Sequence, residues 1–327
     1  MVPIMVLGGV ACAPPVDDGQ LGAWLAEARE ADAGARALHE EVNERASWTL
    51  TLSGQVARPE VLPWETVDAL ADSEVLARPT VERPQDEPIR FRGVRLASLL
   101  VRAGAAPAAR EVTIVASDGF RATFAAADVN AMPIQLSVTR DGEPISRSYG
   151  GPLFGTLPNV DFPGIESLYK QSWWAYYVTH VIVDTSDVAL QIGERTVGAV
   201  DLAGLEMVTV QAPHGFRTGW DAGPVAVDGV RVRDVVKLAG LTLSPGDLLR
   251  VRVMASLPDD DQHALRLPAE ALDRDDLVFG LTVGAAHEPI PARLGGPVVL
   301  LVPKDYAVDG ASEWPTFVQG LTVERRP

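Results

Sequence analysis

Two kinds of hydrophobic spacing divide the chain. Over residues 20–46, apolar side chains recur every three or four positions, and Glu and Arg fill the positions between them. This spacing predicts an amphipathic helix that packs on the following domain, with a partner-binding helix as the alternative. Its apolar set is Leu21, Trp24, Leu25, Ala28, Ala35, Leu38 and Val42. From Trp48 onwards, short β-like segments are broken by Gly and Pro, which predicts an α+β, strand-rich fold with short helices.

The strand-rich part contains one pattern twice. Residues 93–104 (GVRLASLLVRAG) match residues 229–240 (GVRVRDVVKLAG) at an offset of 136. Further on, a Glu-Pro-Ile and Gly-Gly-Pro pair recurs at an offset of 145, at 143–152 and 288–297. We assign the nine extra residues of the second copy to the acidic loop 257–263. The repeat predicts two tandem domains, copy 1 at 47–185 and copy 2 at 186–327.

The landmarks of copy 1 predict local structure. Leu96, Leu99, Leu100 and Ala103 form one face of a short helix that Gly104 ends. A strand at 112–116, a turn at 117–119 and a return strand at 120–124 follow, and Asp141-Gly142 is a hairpin signal. The Gly-Gly-Pro element is interpreted as a loop that lets the backbone come close to a neighbouring strand, with a ligand as the alternative.

The first residues of the sequence predict where in the cell the protein is located. A short apolar stretch from Val2 to Ala11 ends in small residues before Cys12, and a proline-rich linker follows. This is the pattern of a secretory signal peptide, and a cysteine at that site resembles a bacterial lipoprotein signal. We therefore expect residues 1–19 to be signal and linker. The protein would then lie on the periplasmic side of the cell envelope, held to the membrane by a lipid on Cys12.

Composition excludes several function classes. The 327 residues carry 28 Lys+Arg against 44 Asp+Glu, a net charge of −16. Such an acidic chain lacks the basic face that binds nucleic acid. The single cysteine excludes a disulfide scaffold and cysteine-rich zinc or iron–sulfur sites. The sequence also lacks a P-loop, a GxGxxG element and a Gly-x-Ser-x-Gly elbow. His180 is interpreted as structural and His214 as a loop residue, with a metal ligand as the alternative for His214. Asp259–Asp261 is interpreted as a solvated acidic loop rather than a calcium site.

The ordered landmarks resemble the molybdopterin-binding domain of the sulfite oxidase family. The resemblance covers most of 48–183 and, more loosely, 197–323. It rests on a W-x-L-x-L-x-G strand, a short helix, the GVxL helix, a D-G-[FY] turn, a G-E-P-[IL] hairpin, a G-x-P loop and a Tyr/Lys/Trp segment. In this chain they lie at 48–54, 62–70, 93–104, 118–120, 142–145, 150–152 and 169–174. The resemblance implies two tandem sulfite-oxidase-like folds preceded by the N-terminal helix.

The chain departs from the family at the positions that matter for chemistry. The resemblance implies molybdenum bound through a cysteine between the opening helix and the GVxL helix, yet windows 75–85 and 208–227 contain none. Hard oxygen groups do not replace a soft thiolate without changing the metal chemistry. The family's Arg after the G-x-P loop is replaced by Phe154 in copy 1 and by Val299 in copy 2.

We therefore expect an oxidoreductase-like protein without molybdenum catalysis and without a cofactor. It would serve in binding, with its small-molecule ligand left open, or as the partner of an envelope redox complex. The alternative is a molybdopterin-dependent oxidoreductase with altered metal ligation in copy 1. In that case Arg121, Arg147 and Lys170 are the candidates that hold the pterin phosphate.

An aromatic run at 173–177 is the candidate docking surface. If this run is a strand, alternation places Trp174 and Tyr176 on one face and Trp173 and Tyr177 on the other. One face would belong to the core. The other, with Trp174 and Tyr176, is the predicted contact for a protein partner, because Trp and Tyr are favoured anchors.

Overall fold

Alternating apolar residues build the first strand of the structure. In Thr49–Gly54, Leu50 and Leu52 are buried while their neighbours are more exposed. The structure is a computed structural model, and it describes residues 47–78, 87–169, 174–213, 224–254, 265–302 and 314–325. All of them belong to one unit, Arg45–Pro327. The predicted helix at 20–46 and the acidic loop at 257–263 fall outside the described residues.

We call residues 47–185 the first half and residues 186–327 the second half. The first half has the strands β1 (Thr49–Gly54), β2 (Glu60–Pro63), β3 (Ser73–Ala77), β4 (Ile89–Arg95), β5 (Glu111–Ala116), β6 (Arg121–Ala125), β7 (Gln135–Arg140), β8 (Glu143–Pro144), β9 (Phe154–Thr156) and β10 (Val178–Val183). Its helices are α1 (Trp64–Ala69), α2 (Leu96–Ala103), α3 (Ala126–Ala131) and α4 (Ile165–Leu168), with a 3₁₀ turn η1 (Arg147–Tyr149).

The second half has the strands β11 (Ala189–Ile192), β12 (Arg195–Gly198), β13 (Met207–Pro213), β14 (Pro224–Arg231), β15 (Leu248–Val253), β16 (Arg266–Pro268), β17 (Val278–Val283), β18 (Glu288–Pro289), β19 (Val299–Leu301) and β20 (Val318–Glu324). Its helices are α5 (Ala199–Leu202) and α6 (Val232–Leu238), with 3₁₀ turns η2 (Ala269–Asp273) and η3 (Ala292–Leu294). No described helix has both the length and the apolar character that a membrane span requires.

Each half contains two sheets, and the strand orders correspond. One sheet of the first half has the order β2-β1-β10-β5-β6, and the other has β3-β4-β7-β8 with β9 beside β7. The second half has β12-β11-β20-β15-β16, and β13-β14-β17-β18 with β19 beside β17. In both halves the opening strand runs parallel to the closing one, β1 to β10 and β11 to β20. Both halves are therefore strand-rich with short helices.

The local predictions of the GVxL segment are confirmed. Helix α2 buries Leu96, Leu99, Leu100 and Ala103, and Gly104 ends it in the left-handed region at φ +67°. These side chains join one apolar core with Val112 and Ile114 of β5 and with Leu50 and Leu52 of β1. The opening helix begins later than predicted, because Glu60–Pro63 is the edge strand β2 and the helix starts at Trp64.

The two halves meet through a small apolar cluster. Val115 of β5 and Ile182 of β10 pack with Ala292 of η3 and Phe317, and all four are at most 1% exposed. Polar contacts surround this cluster. Thr185 accepts a hydrogen bond from the Ala292 amide at 2.9 Å, and the Arg293 side chain pairs with Glu111 at 3.1 Å. The loop end of the second half therefore rests on the first sheet of the first half.

Candidate functional site

A pocket of about 340 Å³ opens in the first half. Its floor comes from the second sheet, where Phe91 of β4 lies directly opposite Arg140 of β7. Phe154, the first residue of β9, completes the floor, and the loop around Gly150 and Tyr176 forms the walls. Three strands and one loop thus bring together residues that are distant in sequence.

Aromatic rings line most of this pocket. Phe154 is 4% exposed, and its ring centroid lies 5.7 Å from that of Phe91, 5.6 Å from that of Trp174 and 5.1 Å from that of Tyr176. Offset and tilted pairs at these distances are favourable beyond the apolar area they bury. The floor is therefore rigid and apolar. Tyr149 and Tyr176 form its exposed rim, at 62% and 48% exposure.

Two glycines allow the loop to close on this wall. Gly150 has φ +91°, and a Cβ atom there would overlap the ring of Tyr176. A Cβ atom at Gly151 would overlap the backbone carbonyl of Ile145. The Gly-Gly-Pro element therefore approaches the protein's own backbone at Ile145 and the ring of Tyr176. The same loop in the second half places Gly296 against the carbonyl of Ile290.

Two arginines supply positive charge at the pocket. The guanidinium carbon of Arg140 lies 4.9 Å from the centroid of the Tyr149 ring. That of Arg147 lies 4.0 Å from the Tyr177 ring and 5.8 Å from the Trp48 ring. The Tyr177 hydroxyl also donates to the carbonyl of Arg147 at 3.0 Å. Both guanidiniums therefore lie within cation–π distance of aromatic rings.

The predicted cofactor-binding cations are not gathered in one place. Arg147 stands beside the pocket wall. Arg121 lies elsewhere, on β6, where its Nε donates to the carbonyl of Arg293 at 2.8 Å and its guanidinium faces Phe317 of the second half. Lys170 lies outside the described residues, as do Cys12 and His214. Arg121 thus serves the contact between the halves, because β6 faces η3 rather than the pocket.

The predicted docking pair needs a correction. Trp174 is only 5% exposed and packs on Phe91 and Phe154, so it belongs to the core. Tyr176 is half exposed and lines the pocket. Residues 174–177 are not a regular strand, and Tyr177 has φ +55°. Because alternation fails in such a segment, the two side chains do not share a face.

Sequence reasoning missed Arg140, Tyr149 and Phe91 as pocket residues. Arg140 immediately precedes the Asp141-Gly142 hairpin that the sequence indicated, and Tyr149 immediately precedes Gly150. Their positions beside two recognised landmarks were the available signal. Phe91 carried none, because a single Phe in a strand is typical of an ordinary core residue.

The second half has a different set at the corresponding positions. Strand register places Val227 and Val283 opposite each other, as Phe91 and Arg140 are in the first half. The positions of Tyr149, Phe154, Tyr176 and Tyr177 correspond to Leu294, Val299, Thr316 and Phe317. Phe317 is buried against the first half. The aromatic and cationic lining is therefore confined to the first half.

A separate polar cluster lies in the second half. Asp228 is 6% exposed and accepts hydrogen bonds from Thr209 at 2.5 Å and Thr282 at 3.3 Å, and it contacts His287 Nδ1 at 2.6 Å. The Thr209 hydrogen bond, followed by the contacts of His287, lowers the pKa of Asp228. The cluster joins β13, β14 and the β17–β18 turn. Within the described ranges, no three His, Cys, Asp or Glu side chains are placed to hold a metal ion.

Comparison with known proteins finds one similar domain family. The sequence model of the oxidoreductase molybdopterin binding domain matches residues 39–161. This segment of the chain is therefore similar to the oxidoreductase molybdopterin binding domain. The matched segment contains Phe91, Arg140, Tyr149 and Phe154 of the pocket. No curated protein matches the chain.

A solved structure similar to the chain is the crystal structure of the sulfane dehydrogenase SoxCD from Paracoccus pantotrophus. Its sequence identity is 13% and its TM-score is 0.34. The match covers 68% of this chain and 59% of that chain. The present chain thus spans less than two thirds of the SoxCD chain.

The described side chains of the first half do not supply the thiolate that the resemblance implies for molybdenum. In the window where the family's cysteine is expected, Val75 and Ala77 are core residues, and the backbone of Arg78 is hydrogen-bonded to Asn159. The sequence contains no cysteine from 75 to 85. Where the family places an arginine after the G-x-P loop, Phe154 fills the pocket floor with an uncharged ring. At both positions, the residues present differ from those that the resemblance implies.

Proposed function

We propose that the protein is a binding member of the molybdopterin-type family that does not perform molybdenum chemistry. The observation that carries this proposal is Phe154. An arginine there would offer bidentate hydrogen bonds to a phosphate, whereas a phenylalanine stacked on Phe91 and Trp174 offers only an apolar face. The pocket remains open and suits a different, smaller ligand.

The proposal includes one binding site for each chain. The chain is two tandem copies of one domain, as the corresponding strand orders and the repeated landmarks support. The loop end of the second copy is occupied by the first copy, because Ala292 and Phe317 pack on Val115 and Ile182. Only the loop end of the first copy, with Tyr149 and Tyr176, is exposed among the described residues.

Metal and pterin analysis tests the loss of molybdenum chemistry. The full chain is produced in a host that makes molybdopterin, beside a thiolate-ligated family enzyme as the positive control. We expect the control to carry molybdenum and pterin in stoichiometric amounts, and this chain to carry neither. Stoichiometric molybdenum, or pterin fluorescence after acid oxidation of the native protein, would overturn the proposal in favour of altered metal ligation.

A place in the cell envelope is part of the same proposal. A lipid on Cys12 would hold the protein at the membrane, on the periplasmic side, in support of a redox partner. We expect a labelled fatty acid to be incorporated into the wild-type chain and not into Cys12→Ala. Labelling that persists in the variant would remove the anchor from the proposal.

A second candidate function is docking of a redox protein on the same face. The exposure of Tyr149 and Tyr176 favours it, because exposed tyrosines are common anchors in interfaces. The double variant Tyr149→Ala, Tyr176→Ala is expected to lose a partner that co-purifies with the wild-type chain. Retention of that partner would count against docking.

A further inference from the structure

The two arginines at the pocket differ from most others in the molecule. Within the described residues, neither Arg140 nor Arg147 forms an ion pair with a carboxylate. Arginines elsewhere in both halves do: Arg90, Arg92, Arg102, Arg195, Arg231, Arg233, Arg250, Arg266, Arg274 and Arg293. In a chain of net charge −16, carboxylates are abundant. Arg140, which lines the cavity, and Arg147, beside Tyr177, therefore leave positive charge there for an anion from outside the chain.

The stacked geometry leaves hydrogen-bond donors available. A guanidinium that lies over a ring uses its flat face, while its N–H groups point along its edges. The guanidinium carbon of Arg140 lies over the Tyr149 ring, 4.9 Å from its centroid. The edge of a guanidinium matches a carboxylate or a similar planar anion with two parallel hydrogen bonds. Arg140, which lines the cavity, is thus the direct candidate for the anion, and Arg147 adds charge from behind Tyr177.

The other residues that line the pocket favour a ligand with a flat, apolar ring system. Phe91, Phe154 and Tyr176 present rings whose neighbouring centroids lie 5.7 Å and 5.1 Å apart around a cavity of about 340 Å³. This volume is at the small end of ligand pockets in general. A molecule of one or two fused rings fills such a space by stacking, whereas a flexible chain would lose more conformational entropy on binding.

We infer that the first-half pocket binds a small aromatic anion, a compound of one or two rings that carries a carboxylate or a comparable acidic group. This inference rests on the proposed function, since it assigns a ligand class to the pocket of the proposed binding protein. The second half shows that the fold does not demand this lining. Val283, Leu294 and Val299 stand at the positions of Arg140, Tyr149 and Phe154 and build the same loop and strands.

Three probe compounds test the ligand class. They share one ring system and differ in charge, one being an anion, one neutral and one a cation. They are 1-naphthoate, 1-naphthalenemethanol and 1-naphthylmethylammonium, titrated calorimetrically into the full chain. We expect one equivalent of naphthoate to bind, the alcohol to bind more weakly and the ammonium most weakly. Arg140→Gln should weaken naphthoate about tenfold or more, because a charge-assisted hydrogen-bond pair is lost. It should leave the affinity for the alcohol within about twofold.

Arg233→Gln is the matched control. Arg233 pairs with Asp275 in the second half, away from the pocket, and its substitution should leave all three affinities unchanged. Equal or tighter binding of the ammonium probe would overturn the inference in favour of an aromatic cation cage. Failure of all three probes to bind would overturn it as well, as would an equal loss in Arg140→Gln and Arg233→Gln. None of these results depends on the molybdenum and pterin analysis, so the inference and the proposed function can fail separately.

Discussion

His180 shows how one residue makes the stability of the fold depend on pH. It lies on β10, opposite Val115, with Nδ1 2.9 Å from the Thr179 hydroxyl. Burial lowers the pKa of His180 to about 4, from 6.5 for a free imidazole. The unfolded chain therefore binds a proton at a higher pH than the folded chain does. The contribution of this group to stability is complete above pH 6.5, falls as the pH drops from 6.5 to about 4, and is level below that.

The measurement is the free energy of unfolding between about pH 7.5 and pH 4, in the wild type and in His180→Gln. A pKa difference of this size amounts to about 3 kcal/mol at most. Glutamine keeps a polar side chain but cannot take up the proton, so the variant should lose this part of the slope. An unchanged slope in His180→Gln would show that other groups carry the pH dependence.

At the scale of an element, the Gly-Gly-Pro loop owes its shape to Gly150. Gly150→Ala meets two penalties, since φ is +91° and the new Cβ would overlap the Tyr176 ring. Gly142 is a matched control, because it has φ +86° and no atom lies within 4 Å of the place that a Cβ would take. Gly142→Ala should cost about 1–2 kcal/mol for the left-handed backbone alone. Gly150→Ala should cost more, as measured by urea unfolding.

A second variant separates the two penalties. In a Tyr176→Ala background the overlap is absent, so the extra cost of Gly150→Ala should fall towards that of Gly142→Ala. The two substitutions are then non-additive, as expected for residues in contact. Strict additivity would mean that the Tyr176 ring does not limit the space at Gly150.

The elements that could be predicted from the sequence are those with local causes. Helix α2 follows from its apolar spacing and from Gly104, and the β7–β8 hairpin follows from Asp141-Gly142, both of which have positive φ. The strand alternation predicted for the aromatic run is wrong, because distant partners set the shape of residues 174–177. Tyr177 takes its conformation where its amide bonds the carbonyl of Gly150 and its hydroxyl bonds the carbonyl of Arg147.

The candidate site, too, could be predicted from the sequence only where its cause is local. The missing cysteine and Phe154 are visible in the sequence and point to altered chemistry. The gathering of Arg140, Tyr149 and Phe91 is not visible there, because it depends on the pairing of β4 with β7 and on the return of the loop. Charge alone makes Arg121 a candidate, and only tertiary structure places it at the contact between the halves.

At the scale of the whole molecule, the two halves contact each other asymmetrically. The loop end of the second half covers the first sheet of the first half, with Phe317 at the centre. The corresponding sheet of the second half has Arg252 and Thr322 where the first has Val115 and Ile182, as strand register shows. An exposed Arg252 cannot repeat the apolar contact. The sheet of the second half therefore does not offer the apolar surface that the sheet of the first half offers. Among the described residues, the loop end of the first half stays exposed.

A double-mutant cycle tests whether apolar contact couples the halves. Phe317→Ala should cost about 3–5 kcal/mol of unfolding free energy and Ile182→Ala about 2–5, since both side chains are at most 1% exposed. Together they should be non-additive by about 0.5–3 kcal/mol, because they touch across the contact. Glu111→Gln, which removes a half-exposed ion pair with Arg293, should cost less than about 1 kcal/mol. Two results would contradict apolar coupling and favour ionic contacts between the halves. One is additivity of Phe317→Ala and Ile182→Ala, and the other is a cost of Glu111→Gln equal to that of Phe317→Ala. The Phe317 side chain would then stabilise only the second half.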